Sequence, residues 1–356
     1  MRLRGLVLLC VVGSCAIGWA VEPQYSVKYS QKVETPERCT FADPISFNSD
    51  GSFMVNFSPD FSQLQNYSRL FNGNSVLNLG LHWGSTVGYE TSAYRNNTGA
   101  FAYGSNKYRL SIDAPVQTFP TSFGFNYFTS NGFTDSGWTY GRQWGVQNNA
   151  DASHTDAYNV YTGQRLFPFG TSIKRMSNSG AMLVERRDTT PFQDPRVYMI
   201  KDGVSTVFGD FDIEATPFND LDQFAGVIGS ATDRSIIDKP VFFDGHSFHF
   251  LPISDFYPHG VTNSGRIIGS TRSAFRLQIY ENGQRYDLID HTTGWDKDMS
   301  IYSLMTRPDG DIAVLGRKGT DFYALHLTSV PEPATLLALG VGLACVVRRR
   351  RVAWIR

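Results

Sequence analysis

The sequence predicts an all-β body that folds as a seven-bladed β-propeller, and two observations on the 356-residue chain support this. Charged residues make up only 18% of the chain and aromatic residues 14%, while glycine occurs 33 times. This composition is typical of short strands joined by tight turns rather than of solvent-facing helices. A short motif also recurs at steps near 43 residues, the length of a four-stranded propeller blade.

The repeated motif is a polar pair, then Gly, one further residue, two mostly apolar residues, and Gly or Val. The steps between successive third positions are 33, 53, 43, 42, 43 and 45 residues. The two irregular steps together span 86 residues, or two repeats. Seven copies therefore predict seven blades. The third positions are Gly51, Gly84, Gly137, Gly180, Asp222, Gly265 and Gly310, so one copy has Asp where the others have Gly.

Hairpin turns are predicted inside the repeats, because apolar runs end in Asn-Gly or Asp-Gly at 72–73, 202–203, 244–245 and 282–283. These dipeptides supply the positive φ that two-residue turns need. Each repeat is therefore expected to be a small antiparallel meander.

The repeats resemble the HAF-type repeats of bacterial extracellular proteins. The resemblance rests on Asn-Asp-x-x-Gln at 219–223 and on Asn-Ser-Gly at 263–265. That family is defined by its pattern, so the resemblance implies no activity for this chain.

Closure of the propeller ring requires a strand from elsewhere in the chain. The last repeat ends near Leu327, which leaves its blade short of strands and its edge uncovered. Residues Tyr25 to Tyr29 alternate apolar and polar with period two, as a half-buried strand does. We therefore predict that this N-terminal strand joins the last blade.

Residues 1–20 have the pattern of a secretion signal peptide. Two arginines precede an apolar run from Leu6 to Ile17, and small residues stand at the −3 and −1 positions of a cut after Ala20. As a helix this run spans roughly 18 Å, less than the ~30 Å hydrocarbon core of a membrane. The stretch 12–15, ending in Cys15, loosely resembles a lipoprotein processing site, which is the alternative.

The C-terminus combines a proline motif, an apolar run and a basic cluster. The prolines stop any strand or helix that enters from the body. Arginines beside an apolar helix hold that end on the cytoplasmic side, so the body is expected on the far side, as the signal peptide also requires. The segments are Val330, Pro331, Glu332 and Pro333, then the uncharged run Ala334 to Val347, then Arg348, Arg349, Arg350 and Arg351.

This tail resembles the PEP-CTERM sorting domain of Gram-negative bacteria, also called an ice-binding protein C-terminal domain. The resemblance implies recognition by a membrane exosortase, cleavage near Pro-Glu-Pro, and release to the surface or to an exopolysaccharide matrix. It covers 27 of the 356 residues and implies nothing about the body. A plain membrane anchor is the alternative, and its weakness is the short apolar run. We divide the chain into a signal peptide (1–20), a propeller-like repeat domain (21–329) and a sorting tail (330–356).

Charge and cysteine content exclude several classes of protein. Residues 21–329 carry 25 Lys and Arg against 32 Asp and Glu, a net charge of −7, which argues against a nucleic-acid partner. Cys39 is the one cysteine outside the two terminal apolar segments, so no intrachain disulfide is expected in the body.

No catalytic residue is predicted. Residues 134–140 resemble the Asp-box of sialidase-type propellers, but Phe133 stands where that box has Ser or Thr, and such boxes stabilise turns. Glycoside hydrolysis generally needs two carboxyl groups that flank the scissile bond. No such pair is identified by spacing among Glu90, Glu185, Glu214 and Glu281. A secreted propeller glycan hydrolase is the alternative, and carboxylates converging at one end of the central channel would indicate it.

No metal ion or cofactor is predicted. His246 and His249 lie three apart on a strand and point to opposite faces, and His259 lies further along the chain. Four Asp doublets begin at residues 210, 220, 296 and 309, but none continues into a full calcium-binding loop.

Aromatic residues are concentrated between 119 and 144, and most are expected in blade cores. Trp138, Tyr140 and Trp144 are candidate glycan-stacking residues, because such rings combine a large apolar surface with a polar tip.

The sequence as a whole predicts a non-enzymatic interaction protein of the cell surface or extracellular matrix. It is expected to be exported through the inner membrane, held there transiently by its C-terminal helix, and processed by an exosortase. An exopolysaccharide is a candidate partner, but the sequence does not identify the ligand of the body.

Overall fold

The computed structural model describes residues 23–33, 39–59, 65–72, 75–83, 93–103, 107–118, 127–144, 154–166, 171–186, 195–230, 238–271 and 276–330. The predicted signal peptide and the tail beyond Val330 lie outside these residues. Within them the regular structure is entirely β, and no helix is long and apolar enough to cross a membrane.

The described strands form seven sheets, which are the seven predicted blades. The chain starts with β1 (Tyr25–Val33), which belongs to the last blade. Blades 1 to 3 follow: β2 (Cys39–Phe47), β3 (Phe53–Pro59), β4 (Gln65–Asn72) and β5 (Ser75–Trp83); β6 (Ala93–Arg95), β7 (Phe101–Tyr103), β8 (Lys107–Arg109) and β9 (Gln117–Thr118); β10 (Tyr127–Phe133), β11 (Trp138–Trp144), β12 (His154–Asn159) and β13 (Arg165–Leu166).

Blades 4 to 7 complete the ring. Their strands are β14 (Thr171–Met176), β15 (Met182–Arg186), β16 (Arg196–Lys201) and β17 (Val204–Asp210); β18 (Asp212–Ala215), β19 (Phe224–Gly229), β20 (Lys239–Phe243) and β21 (Phe248–Phe250); β22 (Tyr257–Val261), β23 (Ile267–Ser270), β24 (Leu277–Glu281) and β25 (Gln284–Asp287); β26 (Thr292–Thr293), β27 (Ser300–Thr306), β28 (Ile312–Lys318) and β29 (Asp321–Ser329).

Each of the first six blades is an antiparallel sheet whose strands pair in chain order. The first strand of a blade contacts the first strand of the next, as β2 does with β6 and β22 does with β27. First strands therefore line the central channel, and fourth strands form the rim. The all-β, seven-bladed fold class is confirmed.

The N-terminal strand closes the ring, as predicted. Strand β1 pairs antiparallel with β29, from Tyr25 opposite Ser329 to Val33 opposite Phe322. Both Tyr25 and Val33 are buried. The seventh sheet thus has the order β26-β1-β29-β28-β27. The N-terminal strand β1 lies next to β29, on the outer side of three strands from the C-terminal part of the chain.

The core lies between blades rather than at one centre. Second strands are covered on both faces, which explains continuous apolar runs such as Ile312–Leu315 in β28 and the burial of Phe224–Ile228 in β19. Between blades 4 and 5, for example, Leu183 packs with Ile213 in one buried cluster.

The repeated motif forms the turn between the first and second strands of each blade. Gly51, Gly137, Gly180, Gly265 and Gly310 there have φ between +80° and +100°. The predicted hairpins are also confirmed at 202–203 and 282–283, where all four residues have positive φ. Left-handed backbone at these turns explains why Gly, Asn and Asp recur in the sequence.

The second copy of the motif, predicted at His82-Trp83-Gly84, is wrong. His82 and Trp83 belong to β5, the outermost strand of blade 1. The equivalent turn of blade 2 runs from Asn96 to Gly99, and Gly99 has φ +88°. With Gly99 as the second copy, the steps from Gly51 to Gly99 and from Gly99 to Gly137 are 48 and 38 residues, instead of 33 and 53. The repeat is therefore more regular than the sequence alone suggested.

Candidate functional site

A cavity of about 480 Å³ opens at the end of the central channel where the seven motif turns lie. Every blade contributes to its wall, through first-strand residues and the turns that follow them. Small-ligand sites usually have volumes of roughly 300–1,000 Å³. We call this cavity the mouth. Its polar lining includes Asn97, Asn131, Asp135, Arg175, Asn178, Asp220 and His259.

The residues at the first position of each motif form a ring around the mouth, which is hydrogen-bonded from blade 1 to blade 4 and from blade 5 to blade 7. Its members are Ser49, Asn97, Asp135, Asn178, Asp220, Asn263 and Pro308, one from each blade. The backbone N–H of Ser49 donates to Oδ1 of Asn97 at 2.6 Å, and the N–H of Asn263 donates to the carbonyl of Pro308 at 2.6 Å. Neighbouring turns are therefore joined directly, side by side.

Asp135 connects three blades. Its carboxylate accepts the backbone N–H and the Nδ2 of Asn97, both at 2.7 Å, from blade 2. The same carboxylate accepts Nδ2 of Asn178 at 3.1 Å, while the N–H of Asp135 donates to Oδ1 of Asn178 at 2.7 Å. The Asp-box-like segment is thus a turn whose carboxylate binds the neighbouring blades.

A second tier of hydrogen bonds supports this ring. Nδ2 of Asn96 donates to the carbonyl of Thr134 at 3.0 Å, and Nδ2 of Asn219 donates to the carbonyl of Thr262 at 2.9 Å. Both asparagines immediately precede the first motif position, and both are buried. A buried amide that bonds the next blade fixes the spacing of the turns around the mouth.

Asp222 explains the departure of the fifth motif from Gly. It has φ +57°, and its carboxylate accepts Oγ of Ser179 at 2.8 Å and Nζ of Lys201 at 2.5 Å. These bonds lower the pKa of Asp222, although burial acts in the opposite direction. The residue therefore combines the turn conformation with a link to blade 4.

The seam between blades 7 and 1 is built differently. Pro308 has no backbone N–H to donate to the next turn. Instead, Nε2 of His326 bonds Oδ2 of Asp311 at 2.8 Å, and the imidazole meets the rings of Phe47 and Tyr29 edge to face, with centroids 5.1 and 5.5 Å apart. Aromatic packing joins blade 7, blade 1 and the N-terminal strand.

Arginine is the main source of positive charge at the mouth. Arg95 pairs with Asp50 at 3.3 Å, and Arg307 pairs with Asp309 and Asp311. Arg175 instead donates from Nε and Nη1 to backbone carbonyls. Burial lowers the pKa of His259 to about 4, so this imidazole is neutral at neutral pH.

Carboxyl groups gather at the opposite end of the channel, between blades 4 and 5. A second cavity of about 370 Å³ is lined there by Asp212, Glu214 and Asp238. Glu185, just 2% exposed, bonds Asp212 and pairs with Lys174 at 3.0 Å. Burial and the bond to Asp212 raise the pKa of Glu185 above its usual value, against the effect of Lys174.

This carboxyl pair lacks the geometry of a glycosidase. A hydrogen bond between Glu185 and Asp212 places the two groups in direct contact. Glycoside hydrolysis uses carboxyl groups about 5 to 9.5 Å apart, on either side of the scissile bond. That the protein is not an enzyme stays a prediction.

The predicted aromatic residues occupy different environments. Tyr140 is 5% exposed and forms part of the mouth wall, while its ring packs with Ile173 and Met176. Trp138 is half-buried against the same cluster. The side chain of Trp144 lies outside the described part of the structure, so glycan stacking stays a prediction.

The acidic doublets and the histidines are placed separately. Asp296 and Asp298 face Lys318, and His249 bonds Asp244 at 2.7 Å. Among the described residues, no group of three His, Cys, Asp or Glu is arranged to hold a metal ion. Sequence reasoning missed Asn97, because its motif copy was misplaced, and Arg175, which no motif marks.

The propeller is similar to solved structures that share little sequence with it. The β-propeller domain of the Trilobed protease from Pyrococcus furiosus is 12% identical, with a TM-score of 0.54 over 83% of this chain and 95% of that one. The acylaminoacyl peptidase of Pyrococcus horikoshii is 13% identical, with a TM-score of 0.55 over 86% of this chain. A puromycin-hydrolyzing peptidase of Mycobacterium tuberculosis is 13% identical, with a TM-score of 0.52 over 78% of this chain.

This chain covers 55% and 49% of the last two peptidases, about half their length. At such low identity the likeness shows the fold alone. No match was found among curated protein sequences.

Residues 329–351 match the profile of the PEP-CTERM protein-sorting motif. This confirms the resemblance of the tail. The motif is the substrate signal for exosortase processing, and it indicates export to the cell envelope or surface.

Proposed function

We propose that the propeller acts outside the cell as a non-enzymatic interaction protein that binds an exopolysaccharide at the mouth. In this proposal the tail holds the exported protein at the membrane until an exosortase releases it to the surface or matrix. The sorting motif supports the location. The mouth supports the binding role, because amide, hydroxyl and carboxylate groups of the seven blades meet at one opening.

The chemistry of the mouth suits a ligand rich in hydroxyl groups. A side-chain amide both donates and accepts hydrogen bonds, as a sugar hydroxyl does. The ring of turns uses part of this capacity to hold Asn97, Asp135 and Asn178 in place. Fixed donors and acceptors lose little entropy on binding, which favours selective recognition over simple adhesion.

Binding is tested with the exported protein and the polysaccharide purified from the same cells. We expect co-sedimentation, weakened by Asn131→Ala in the mouth wall and unchanged by Thr206→Ala on the exposed rim strand β17. Equal binding by both variants and the wild type would move the interaction away from the mouth.

The same samples test the hydrolase alternative through the appearance of reducing sugar ends. We expect none during a long incubation. New reducing ends that disappear with Glu185→Gln would make the protein a glycan hydrolase and would overturn the non-enzymatic role.

A further inference from the structure

Arg175 lines both cavities of the channel. It belongs to β14 of blade 4 and lines both the mouth and the second cavity. Its Nε donates to the carbonyl of Ala215 in blade 5 at 2.8 Å, and its Nη1 donates to the carbonyl of Lys174 at 3.2 Å. Two carbonyls thus orient the guanidinium group without neutralising its charge.

Arg175 differs in this respect from the other arginines of the mouth. Arg95 and Arg307 are each paired with aspartate. Within the described ranges, Arg175 has no carboxylate within ion-pair distance, and its Nη2 makes no hydrogen bond. A guanidinium group has five N–H donors, so three N–H groups of Arg175 have no hydrogen-bond acceptor among the described residues.

The charges around the channel indicate from which end an anion would approach. In the described part of the chain, the second cavity is lined by three carboxylates, those of Asp212, Glu214 and Asp238, against the two cations Lys174 and Arg175. Among the residues that the structure describes, the mouth is lined by three arginines against two carboxylates, those of Asp135 and Asp220. An anionic group would therefore enter from the mouth.

We infer that the mouth binds the carboxylate of an acidic sugar, a uronic acid unit of a polysaccharide, on the unbonded edge of Arg175. Guanidinium and carboxylate groups match in two parallel hydrogen bonds, which gives both strength and orientation. The side chain of Asn131 also lines the mouth, and its amide can bond hydroxyl groups in the remainder of the sugar. This inference rests on the proposed function, and it adds the chemical class of the ligand.

The test uses the exported protein and four variants, with binding measured by titration calorimetry. The probes are trigalacturonate, the neutral trisaccharide maltotriose and a short peptide with a free C-terminal carboxylate. The variants are Arg175→Gln, Arg175→Lys, Arg285→Gln on the exposed strand β25 as matched control, and Asn131→Ala. Thermal unfolding of each variant is measured alongside, because Arg175 also bridges two blades.

We expect trigalacturonate to bind and maltotriose to bind much more weakly. Arg175→Gln should weaken trigalacturonate binding by about 10- to 100-fold, which corresponds to the loss of hydrogen bonds to a charged group. Arg175→Lys, which keeps the charge, should fall between Gln and the wild type, and Arg285→Gln should not differ from the wild type. Added salt should weaken the binding of the wild type more than that of Arg175→Gln.

Three results would overturn the inference. The first is that trigalacturonate and maltotriose bind equally, and that a folded Arg175→Gln variant binds them as the wild type does. The proposed function would then stand, but the ligand would not be an acidic sugar. Tighter binding of the peptide than of trigalacturonate would replace the sugar by a protein terminus. Failure of all sugars, including the cells' own polysaccharide, would remove the proposed function as well.

Discussion

The carboxylate of Asp135 accepts both N–H groups that Asn97 presents across the boundary between blades 2 and 3, each at 2.7 Å. The two residues lie 38 positions apart and occupy the same place in their motifs. Asp220 and Asn263 repeat the relationship between blades 5 and 6 with donor and acceptor roles partly exchanged. A propeller that closes by pairing its turns gains rigidity at the end where its ligand would bind.

Asp135→Ala is expected to destabilise the body. The change removes the acceptor of three N–H groups, and hydrogen bonds to a charged partner contribute about 1.5–3 kcal/mol. Urea unfolding measures the effect, with Asp113→Ala on an exposed loop as the control. A loss of stability no larger than that of the control would mean that water replaces Asp135 without cost.

Much of the fold could be predicted from the sequence, because the motif Gly residues mark left-handed turns that recur once per blade. The closing strand was predictable as well, since Tyr25 to Tyr29 alternate and the last blade lacked a strand. The ring around the mouth was not predicted. Its signal is an Asn or Asp at the first motif position in five of the seven blades. Because the second copy was misplaced at Gly84, Asn97 was not recognised as part of this pattern.

The contacts of Arg175 and Glu185 could not be predicted from spacing. Each meets a partner from the next blade, Ala215 for the arginine and Asp212 for the glutamate. Their sequence separations depend on the lengths of the intervening loops, and no local pattern encodes such contacts. Packing of one blade against the next decides them.

Two substitutions of Asp222 separate the cost of its left-handed backbone from the contribution of its side-chain hydrogen bonds. Asp222→Gly removes the bonds to Ser179 and Lys201 and relieves the strain of φ +57°, whereas Asp222→Ala removes the bonds and keeps the strain. We expect both variants to be less stable than the wild type, with Ala about 1 kcal/mol below Gly. Thermal unfolding checks the order, and a Gly variant as stable as the wild type would show that the carboxylate contributes nothing.

Tyr25→Ala should weaken closure of the ring. The ring of Tyr25 is fully buried beside Ile268 and Leu327, and truncating a buried aromatic side chain costs about 3–5 kcal/mol. Lys28→Ala, exposed on the same strand, is the matched control. Limited proteolysis should cut blade 7 of the Tyr25 variant first, and initial cleavage elsewhere would argue against a closing role for β1.

Glu185→Gln is expected to stabilise the protein in mildly alkaline solution. The pKa of Glu185 is raised in the folded state, so folding retains a proton that the unfolded chain releases above about pH 4.5. Stability contributed by this proton is therefore present at low pH and lost as the pH rises through the folded pKa. Unfolding at pH 4 and pH 8 should show the variant close to the wild type at pH 4 and more stable at pH 8. The opposite order at pH 8 would mean that the ion pair with Lys174 dominates.

His259→Gln should reduce the sensitivity of the protein to acid. Burial lowers the pKa of His259 to about 4, whereas an unfolded histidine titrates near 6.5, so the unfolded chain takes up a proton first as the pH falls. The wild type should lose up to about 3 kcal/mol from this group between these pH values. Unfolding curves from pH 7 to pH 4 compare the variant with His246→Gln, an exposed control. Parallel pH profiles of the two variants would contradict the burial of His259.

The position of the exosortase cut follows from the last residues of the propeller. Ser329 pairs opposite Tyr25, and the N–H of Val330 donates to the carbonyl of Gln24 at 2.8 Å, so the chain is held in the sheet up to Val330. A protease needs several residues of extended backbone free of other pairing. We therefore expect the cut beyond Val330, within Pro331 to Ala334, and mass spectrometry of the exported protein should find a C-terminus there without the four arginines. The double variant Pro331→Ala, Glu332→Ala should keep its tail and stay with the membrane fraction. A wild-type C-terminus inside β29, or an exported form that retains Arg348 to Arg351, would show that the tail is not processed in this way.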